Sequence, residues 1–421
     1  MRQSSPPSRV VTAATKESPS VDALIRTLNT IHWDFPGYIP DRRTLGIHSL
    51  HWYPALFLPG LAGTLIDILA PHESDLVLDP FCGSGVAPIE AWFRNRVAIG
   101  VDNNCFAIEI AKSKVDLIRA ATAETAEKLL CDYDCFRRSR CDHAWRQETI
   151  LSDVGIHPDA ARWFITPVLS DIAIITAWLA ERSTLTRPWT RVLQITLSSL
   201  LHKHFSRVRN YHYTYVVDRS KVKNDSPAPV DVPEIFKDRV RENFLGAQVL
   251  REELTRRGFS LKDAPAPTFR ANRPQEANQV APEPVDLVVT SPPYFGMNDY
   301  VRSQYLSWLI LQWPTFDNEI VTESGSRRHR TSAAKFNDYL DDMLGAFDAV
   351  HKQLRPGGYL PILVGRFKTS LAVENDPVLK LSRMLDQLGF ERIWRTLRRV
   401  QFRKINNVPY REEDIWVLRR A

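Results

Sequence analysis

The chain has 421 residues, 44% of them apolar and 25% charged, and carries a net charge of +6 with a pI near 9.0. That apolar content can build a sizeable core in one large or two modest domains, and it excludes a wholly disordered or low-complexity polypeptide. The basic balance suits a polyanionic partner without requiring one.

Residues 1–20 are rich in Ser and Pro with no apolar core, and read as a disordered tail rather than a signal peptide. A helix is expected over Pro59–Leu69. Leu76 to Leu78 then reads as a buried strand that feeds Asp79-Pro80-Phe81-Cys82-Gly83-Ser84-Gly85 and a helical stretch through Ile89 and Phe93. Glycines at a strand-to-helix turn let backbone approach a ligand, and the helix start offers free N–H donors. A phosphate-binding Walker loop is excluded because no Gly-Lys-Ser/Thr follows. The dinucleotide fingerprint fails as well, since Pro88 stands where its third Gly or Ala belongs. A second strand, Val97 to Val101, ends in Asp102, which suits a bidentate hold on ribose hydroxyls; the ordinary alternative is a helix cap. A helix through Ala107 to Leu117 follows.

Residues 118–265 read as mainly helical up to Leu201, then mixed and basic. Cys131, Cys135, Cys141 and His143 are plausible zinc ligands by type, but they lack paired Cys-x-x-Cys knuckles, and no metal is expected. The longest apolar stretch, Trp163 to Ala180, contains Pro167 and Asp171 and reads as an amphipathic core helix, not a membrane span. The protein is therefore expected to be soluble and cytoplasmic. From Lys203 to Lys223, Lys203, Arg207, Arg209, Arg219, Lys221 and Lys223 alternate with Tyr211, Tyr213 and Tyr215 against the single acid Asp218. Such a stretch can track phosphates and set rings near bases; a solvated basic face with inward tyrosines is the plainer reading. A linker-like Asn224 to Pro233 gives way to helical spacing over Val240 to Gly258, and Ala264-Pro265-Ala266-Pro267 returns the chain to the sheet.

The last third opens with Phe269-Arg270-Ala271-Asn272 and then VDLVVTSPPY, Val285 to Tyr294. Its apolar run reads as a buried parallel strand, which places Ser291 at the carboxyl edge where open α/β sheets bind ligands. Consecutive prolines, Pro292 and Pro293, stiffen the turn and leave carbonyls free to accept, while Tyr294 offers a ring for a planar base. An ordinary strand exit is the competing reading of the motif taken alone. Arg327, Arg328, His329 and Arg330 follow a Gly-Ser stretch and are expected on a mobile loop. A helix over Phe336 to Leu354 stops at Arg355-Pro356-Gly357-Gly358, strands follow at Tyr359 to Val364 and Ile415 to Leu418, and the Arg392 to Lys404 cluster fits a charged sheet-edge strand.

The pair of motifs resembles the DNA amino-methyltransferases that use S-adenosylmethionine and act on cytosine N4 or adenine N6. The resemblance covers residues 46–112 and 268–420. It implies a Rossmann-like α/β class I methyltransferase fold, a seven-stranded mixed sheet with helices on both faces, plus a mainly helical inserted region. Residues 21–117 would form the cofactor half, 118–265 an insert for target recognition and 266–421 the catalytic half. Asp79, Pro80, Phe81, Cys82, Gly83 and Gly85 resemble the loop that holds the methionine part of the cofactor, with Asp102 on its ribose. Tyr53, Pro54 and Phe57, within His51 to Phe57, are similar to a further cofactor contact. Ser291-Pro292-Pro293-Tyr294 resembles the catalytic loop, whose leading Ser is more typical of N4-cytosine enzymes. Asn272 replaces the acid often found before that loop.

By the same resemblance the partner is double-stranded DNA, bound in part through Lys203, Arg207, Arg209, Tyr211, Tyr213, Lys221 and Lys223, with a cognate restriction endonuclease as a companion. The target base would be flipped out, because its amino group is otherwise paired. The amino nitrogen would hydrogen-bond to the Ser291 hydroxyl and a Pro292 or Pro293 carbonyl, with no covalent intermediate. Carbon-5 chemistry is disfavoured because none of the five cysteines follows Pro. Adenine-N6 methylation, tRNA guanine-N2 methylation and a silent DNA-binding protein of the same fold are the rivals.

Overall fold

The computed structural model describes residues 19–35, 46–54, 57–141, 153–182, 185–208, 230–277, 284–366, 376–400 and 411–421. The strands are β1 (Leu76–Asp79), β2 (Val97–Asp102), β3 (Thr268–Ala271), β4 (Val285–Val288), β5 (Leu354–Arg366), β6 (Phe390–Val400) and β7 (Arg411–Arg420). They form one seven-stranded sheet in the order β3-β2-β1-β4-β5-β7-β6. The central pairs are parallel, and β7 runs antiparallel to both β5 and β6. This is the Rossmann-like methyltransferase sheet that the sequence led us to expect.

Alternation along the strands explains the two layers. Leu78, Val288 and Ile362 face one side and pack against Phe336, Met343 and Phe347 of α10 (Ala333–Gln353) and Leu381 and Leu385 of α11 (Pro377–Gln387). Their neighbours Val77, Leu287 and Leu363 face the other side. There they meet Leu24 and Leu28 of α1 (Val21–Thr30), Leu61 and Leu65 of α2 (Pro59–Leu69) and Ala87 of α3 (Val86–Trp92). Each such aliphatic side chain contributes roughly 1.5–3 kcal/mol on full burial, so a one-residue slip in register would forfeit both layers.

Between β2 and β3 the chain builds a helical body on α4 (Cys105–Ala120). It comprises α5 (Ala123–Cys141), α6 (Ala160–Trp163), α7 (Thr166–Glu181), α8 (Arg187–Leu200), whose end widens into a π turn at Leu201–Phe205, and α9 (Val232–Arg256). Its core joins Tyr133, Trp178, Leu197, Phe236 and Phe244 to Ile110 and Leu117 of α4. One expectation is corrected here. The stretch Trp163 to Ala180 is not a single helix: it breaks at Phe164 and Ile165, both extended, and restarts at Thr166 with Pro167 in the first turn. A proline there removes only an N–H that has no partner in the helix anyway. No described helix is long and apolar enough to cross a membrane.

β6 pairs with β7 alone and so forms the sheet edge, with Arg392, Arg395, Arg398 and Arg399 along it. β7 is longer than its apolar centre suggests because it pairs with β6 along its whole length and with β5 over residues 412–419.

Candidate active site

β1 and β4 are adjacent and parallel, with Leu78 opposite Val288, so the loops that leave them emerge at the same edge of the sheet. The Val289 N–H donates to the Leu78 carbonyl at 3.0 Å. One step further on, the Thr290 hydroxyl donates to Asp79 Oδ1 at 2.7 Å, a buried bond between residues 211 apart in sequence. The two motifs are thus tied directly to each other.

In the first loop Gly83 and Gly85 hold φ of +48° and +82°. A Cβ on Gly83 would stand 2.9 Å from the Tyr53 ring, and one on Gly85 would stand 2.7 Å from the Ala111 Cβ and 2.9 Å from the Phe269 ring. Only glycine satisfies both the backbone and the space at these positions. Asp102 braces the loop: its Oδ2 accepts the Gly83 N–H at 2.8 Å and its Oδ1 the Asn104 N–H at 2.9 Å. The cap of α4 is Asn104, whose side chain accepts the Ala107 N–H at 3.1 Å. Asp102 therefore does not serve as the cap. Burial pushes the Asp79 carboxyl up to about 7, against the pull of hydrogen bonds from Thr290 and Phe81. It pushes Asp102 up to about 6 against the bonds from Asn104 and Gly83. Uncompensated carboxylates cost least where a cationic or donor-rich ligand completes them.

In the second loop the Ser291 hydroxyl donates to the Tyr294 oxygen at 3.1 Å, and the Tyr339 hydroxyl donates to the Pro293 carbonyl at 3.1 Å. The Tyr294 ring lies against Gly365 of β5, where a Cβ would come within 2.4 Å of it. The chain beyond is clamped by residues 323–328. Gly296 N–H donates to Gly325 O at 2.8 Å, Arg327 N–H to Asn298 O at 3.0 Å, and the Ser326 hydroxyl to Asp299 Oδ1 at 2.5 Å. Glu323 accepts from the Tyr300 and Val301 N–H groups. Burial and the neighbouring Asp299 push Glu323 up to about 8. These bonds correct the expectation of a mobile loop at Arg327–Arg330. Residues Arg327–His329 form a 3-10 turn, with the Arg328 N–H donating to the buried Asp299 carboxylate at 3.3 Å and its guanidinium to the Ile320 carbonyl at 2.8 Å.

A cavity of about 330 Å³ opens where the loops meet. Of the expected cofactor residues, Tyr53, Pro54, Phe57, Asp79, Phe81, Cys82, Gly83 and Asp102 line it, together with Ser291 and Pro293 of the expected catalytic motif. Pro80, Gly85, Pro292 and Tyr294 lie outside its lining. Sequence reading missed Thr290, Tyr300, Glu323 and Tyr339. Thr290 was within reach, since it directly precedes the Ser-Pro-Pro-Tyr motif at the strand end; the others come from segments with no motif of their own. Tyr300 stacks near Tyr53 with centroids 6.3 Å apart, which joins the segment before the first loop to the segment after the second.

Lys203 is exposed and Arg207 half-buried on the π turn and its exit. The adjacent His202 ring lies 5.8 Å from Trp52, next in sequence to Tyr53 of the cavity. Arg209, Tyr211, Tyr213, Lys221 and Lys223 lie outside the described residues. Cys131 and Cys135 are exposed on α5, while the Cys141 side chain and His143 are likewise outside them.

No family model matches the chain. Among curated proteins it is 25% identical over 310 residues to the Type II methyltransferase M.MvaI of Kocuria varians, across 71% of this chain and 64% of that one. The match supports a methyltransferase family. A shorter stretch of 52 residues is 40% identical to the tRNA (guanine(10)-N2)-dimethyltransferase of Methanocaldococcus jannaschii, covering 12% of this chain and 15% of that protein. The chain therefore spans less than two thirds of the length of either relative. Among solved structures, the rRNA methyltransferase aviRa of Streptomyces viridochromogenes overlays with a TM-score of 0.37 at 13% identity, over 90% of this chain and 93% of that one. At that score the overlay carries no argument.

Proposed function

We propose that this protein is an S-adenosylmethionine-dependent DNA methyltransferase that modifies an exocyclic amino group, cytosine N4 in the first instance. The observation that carries the reading is the Thr290 to Asp79 hydrogen bond, which sets the Asp-Pro-Phe-Cys-Gly-Ser-Gly loop and the Ser-Pro-Pro-Tyr loop against one cavity. The cavity fits the donor. Left-handed glycines keep the turn open, and two buried carboxyls with raised pKa, Asp79 and Asp102, match an ammonium and a pair of ribose hydroxyls. When bound, S-adenosylmethionine supplies a methyl group activated as a sulfonium.

The chain's own residues then do the positioning. An exocyclic amino nitrogen is a poor nucleophile because its lone pair delocalises into the ring. Hydrogen bonds from that nitrogen to the Ser291 hydroxyl and to a carbonyl of the Pro292-Pro293 turn favour a pyramidal geometry with the lone pair directed at the methyl. Tyr339 holds the Pro293 carbonyl, and the clamp around Asp299 and Glu323 holds the chain beyond. Orientation of this kind is worth on the order of 7–11 kcal/mol for a well-aligned pair. Residues 118–265 are assigned to target recognition, with Lys203 and Arg207 toward the phosphates of a duplex whose target base is flipped out.

The test is transfer from labelled S-adenosylmethionine to duplex DNA and, in parallel, to tRNA, followed by separation of the nucleosides. N4-methylcytosine is the expected product. N6-methyladenine would move the acceptor within the same chemistry, and labelled N2-methylguanosine in tRNA alone would replace DNA as the substrate. Donor and DNA binding without transfer to either would make the protein a silent binder.

A further inference from the structure

Lys114 sits on α4 with no solvent exposure, and its ammonium donates to the Ser84 carbonyl at 2.6 Å and to the Ser84 hydroxyl at 3.1 Å. Ser84 is part of the first loop and lines the cavity. Among the described residues no carboxylate pairs with this ammonium. Burying a cation against two neutral acceptors leaves most of its desolvation cost unmet, and such a residue is kept where something else completes it. The groups around it do not. Burial keeps the Cys82 thiol protonated, His48 and His51 are held neutral with lowered pKa, and Glu90 is taken up by His48 and Arg94. Across the Ser84 turn lies the cavity, in which Asp79 and Asp102 match the cationic and hydroxyl parts of the donor; of its lining cations Lys335 is paired with Asp338 and Arg273 lies beyond the end of β3, whereas the Lys114 ammonium is bonded to the first loop itself.

We propose that Lys114 is a cofactor-positioning residue whose buried ammonium, acting through the Ser84 turn, is the counter-charge for the carboxylate of the methyl donor. The inference rests on the S-adenosylmethionine reading above. It gains a proton linkage from the state of the amine, which burial lowers to about 7. Near neutral pH part of the population is uncharged, so arrival of a carboxylate draws a proton from the buffer onto Nζ. Asp79 and Asp102 also titrate in this range, but they face parts of the donor other than its carboxylate.

The experiment compares two ligands by calorimetry: S-adenosylhomocysteine and its decarboxylated analogue, which keeps the amine, the ribose and the adenine. In the wild type the ratio of their affinities should favour S-adenosylhomocysteine by roughly tenfold more at pH 6 than at pH 8.5, with extra proton uptake for S-adenosylhomocysteine alone. Lys114→Met should weaken S-adenosylhomocysteine by roughly ten- to a hundredfold, leave the analogue nearly unchanged and flatten the ratio against pH. Equal losses for both ligands would make Lys114 a structural clamp on Ser84 and overturn the proposal. So would a pH-independent ratio in the wild type, which needs no variant to fold. A wild type that binds neither ligand would instead overturn the donor reading on which the inference stands.

Discussion

Thr290 and Asp79 carry the most weight of any two side chains, because one hydrogen bond between them joins the halves of the site. Asp79 ionises near 7 in the folded chain against 3.8 as its ordinary value. The sign of the linkage follows: the folded state holds the proton more tightly, so the cost of burying the charge is absent below about pH 4, grows as pH rises and is complete above about 7. Asp79→Asn keeps an oxygen to accept from Thr290 and Phe81. It should raise the unfolding midpoint relative to wild type at pH 8, with the two proteins converging toward pH 4 in thermal melts, while weakening S-adenosylhomocysteine binding. Ser291→Ala should behave differently. It removes the hydroxyl proposed to act on the acceptor amine, so turnover should fall by roughly ten- to a hundredfold with donor affinity retained, and equal losses in both quantities would contradict the proposed role.

Turns and strands show why the loops are so constrained. Gly85→Ala combines a φ of +82° with a Cβ driven into Ala111 and Phe269, so urea denaturation should show a loss of at least about 1–3 kcal/mol along with weakened donor binding. Gly365→Ala is a cleaner probe of the catalytic loop. Its backbone is ordinary extended strand, and the added methyl meets only the Tyr294 ring. Turnover should drop while donor affinity stays near wild type; unchanged turnover would show that the position of Tyr294 is immaterial. Elements with strong local signals were legible beforehand. Pro59–Leu69 has Pro at its start, and β1, β2 and β4 are short runs of aliphatic residues that end at polar turns. The break at Phe164 and Ile165 was not legible, because both residues are apolar and fit a helical pattern; packing against the neighbouring helices decides it.

On the proposed function, the question for the whole molecule is how a duplex would reach the cavity. Lys203 follows His202, which packs on Trp52 next to the cavity residue Tyr53, and Arg207 lies at the exit of the same turn, so on the proposed function a backbone tracked by these cations would pass near the opening. Replacing both with Gln should weaken duplex binding across sequences and reduce the slope of log affinity against log salt by about 1–2, leaving S-adenosylhomocysteine affinity unchanged. An unaltered slope would remove this turn from the DNA path.

Local chemistry alone determined the sheet type, the glycine turn, the acid at the end of β2 and the proline-stiffened exit from β4, since each depends on hydrophobic period, backbone freedom or a missing N–H close at hand. Tertiary structure decided the rest. The Thr290 to Asp79 bond, the Tyr53 and Tyr300 pairing, the Glu323 clamp and the buried Lys114 bonded to Ser84 each join segments with no mark of one another in sequence. Strand order and helix packing bring them together, and in a desolvated interior such polar contacts become strong.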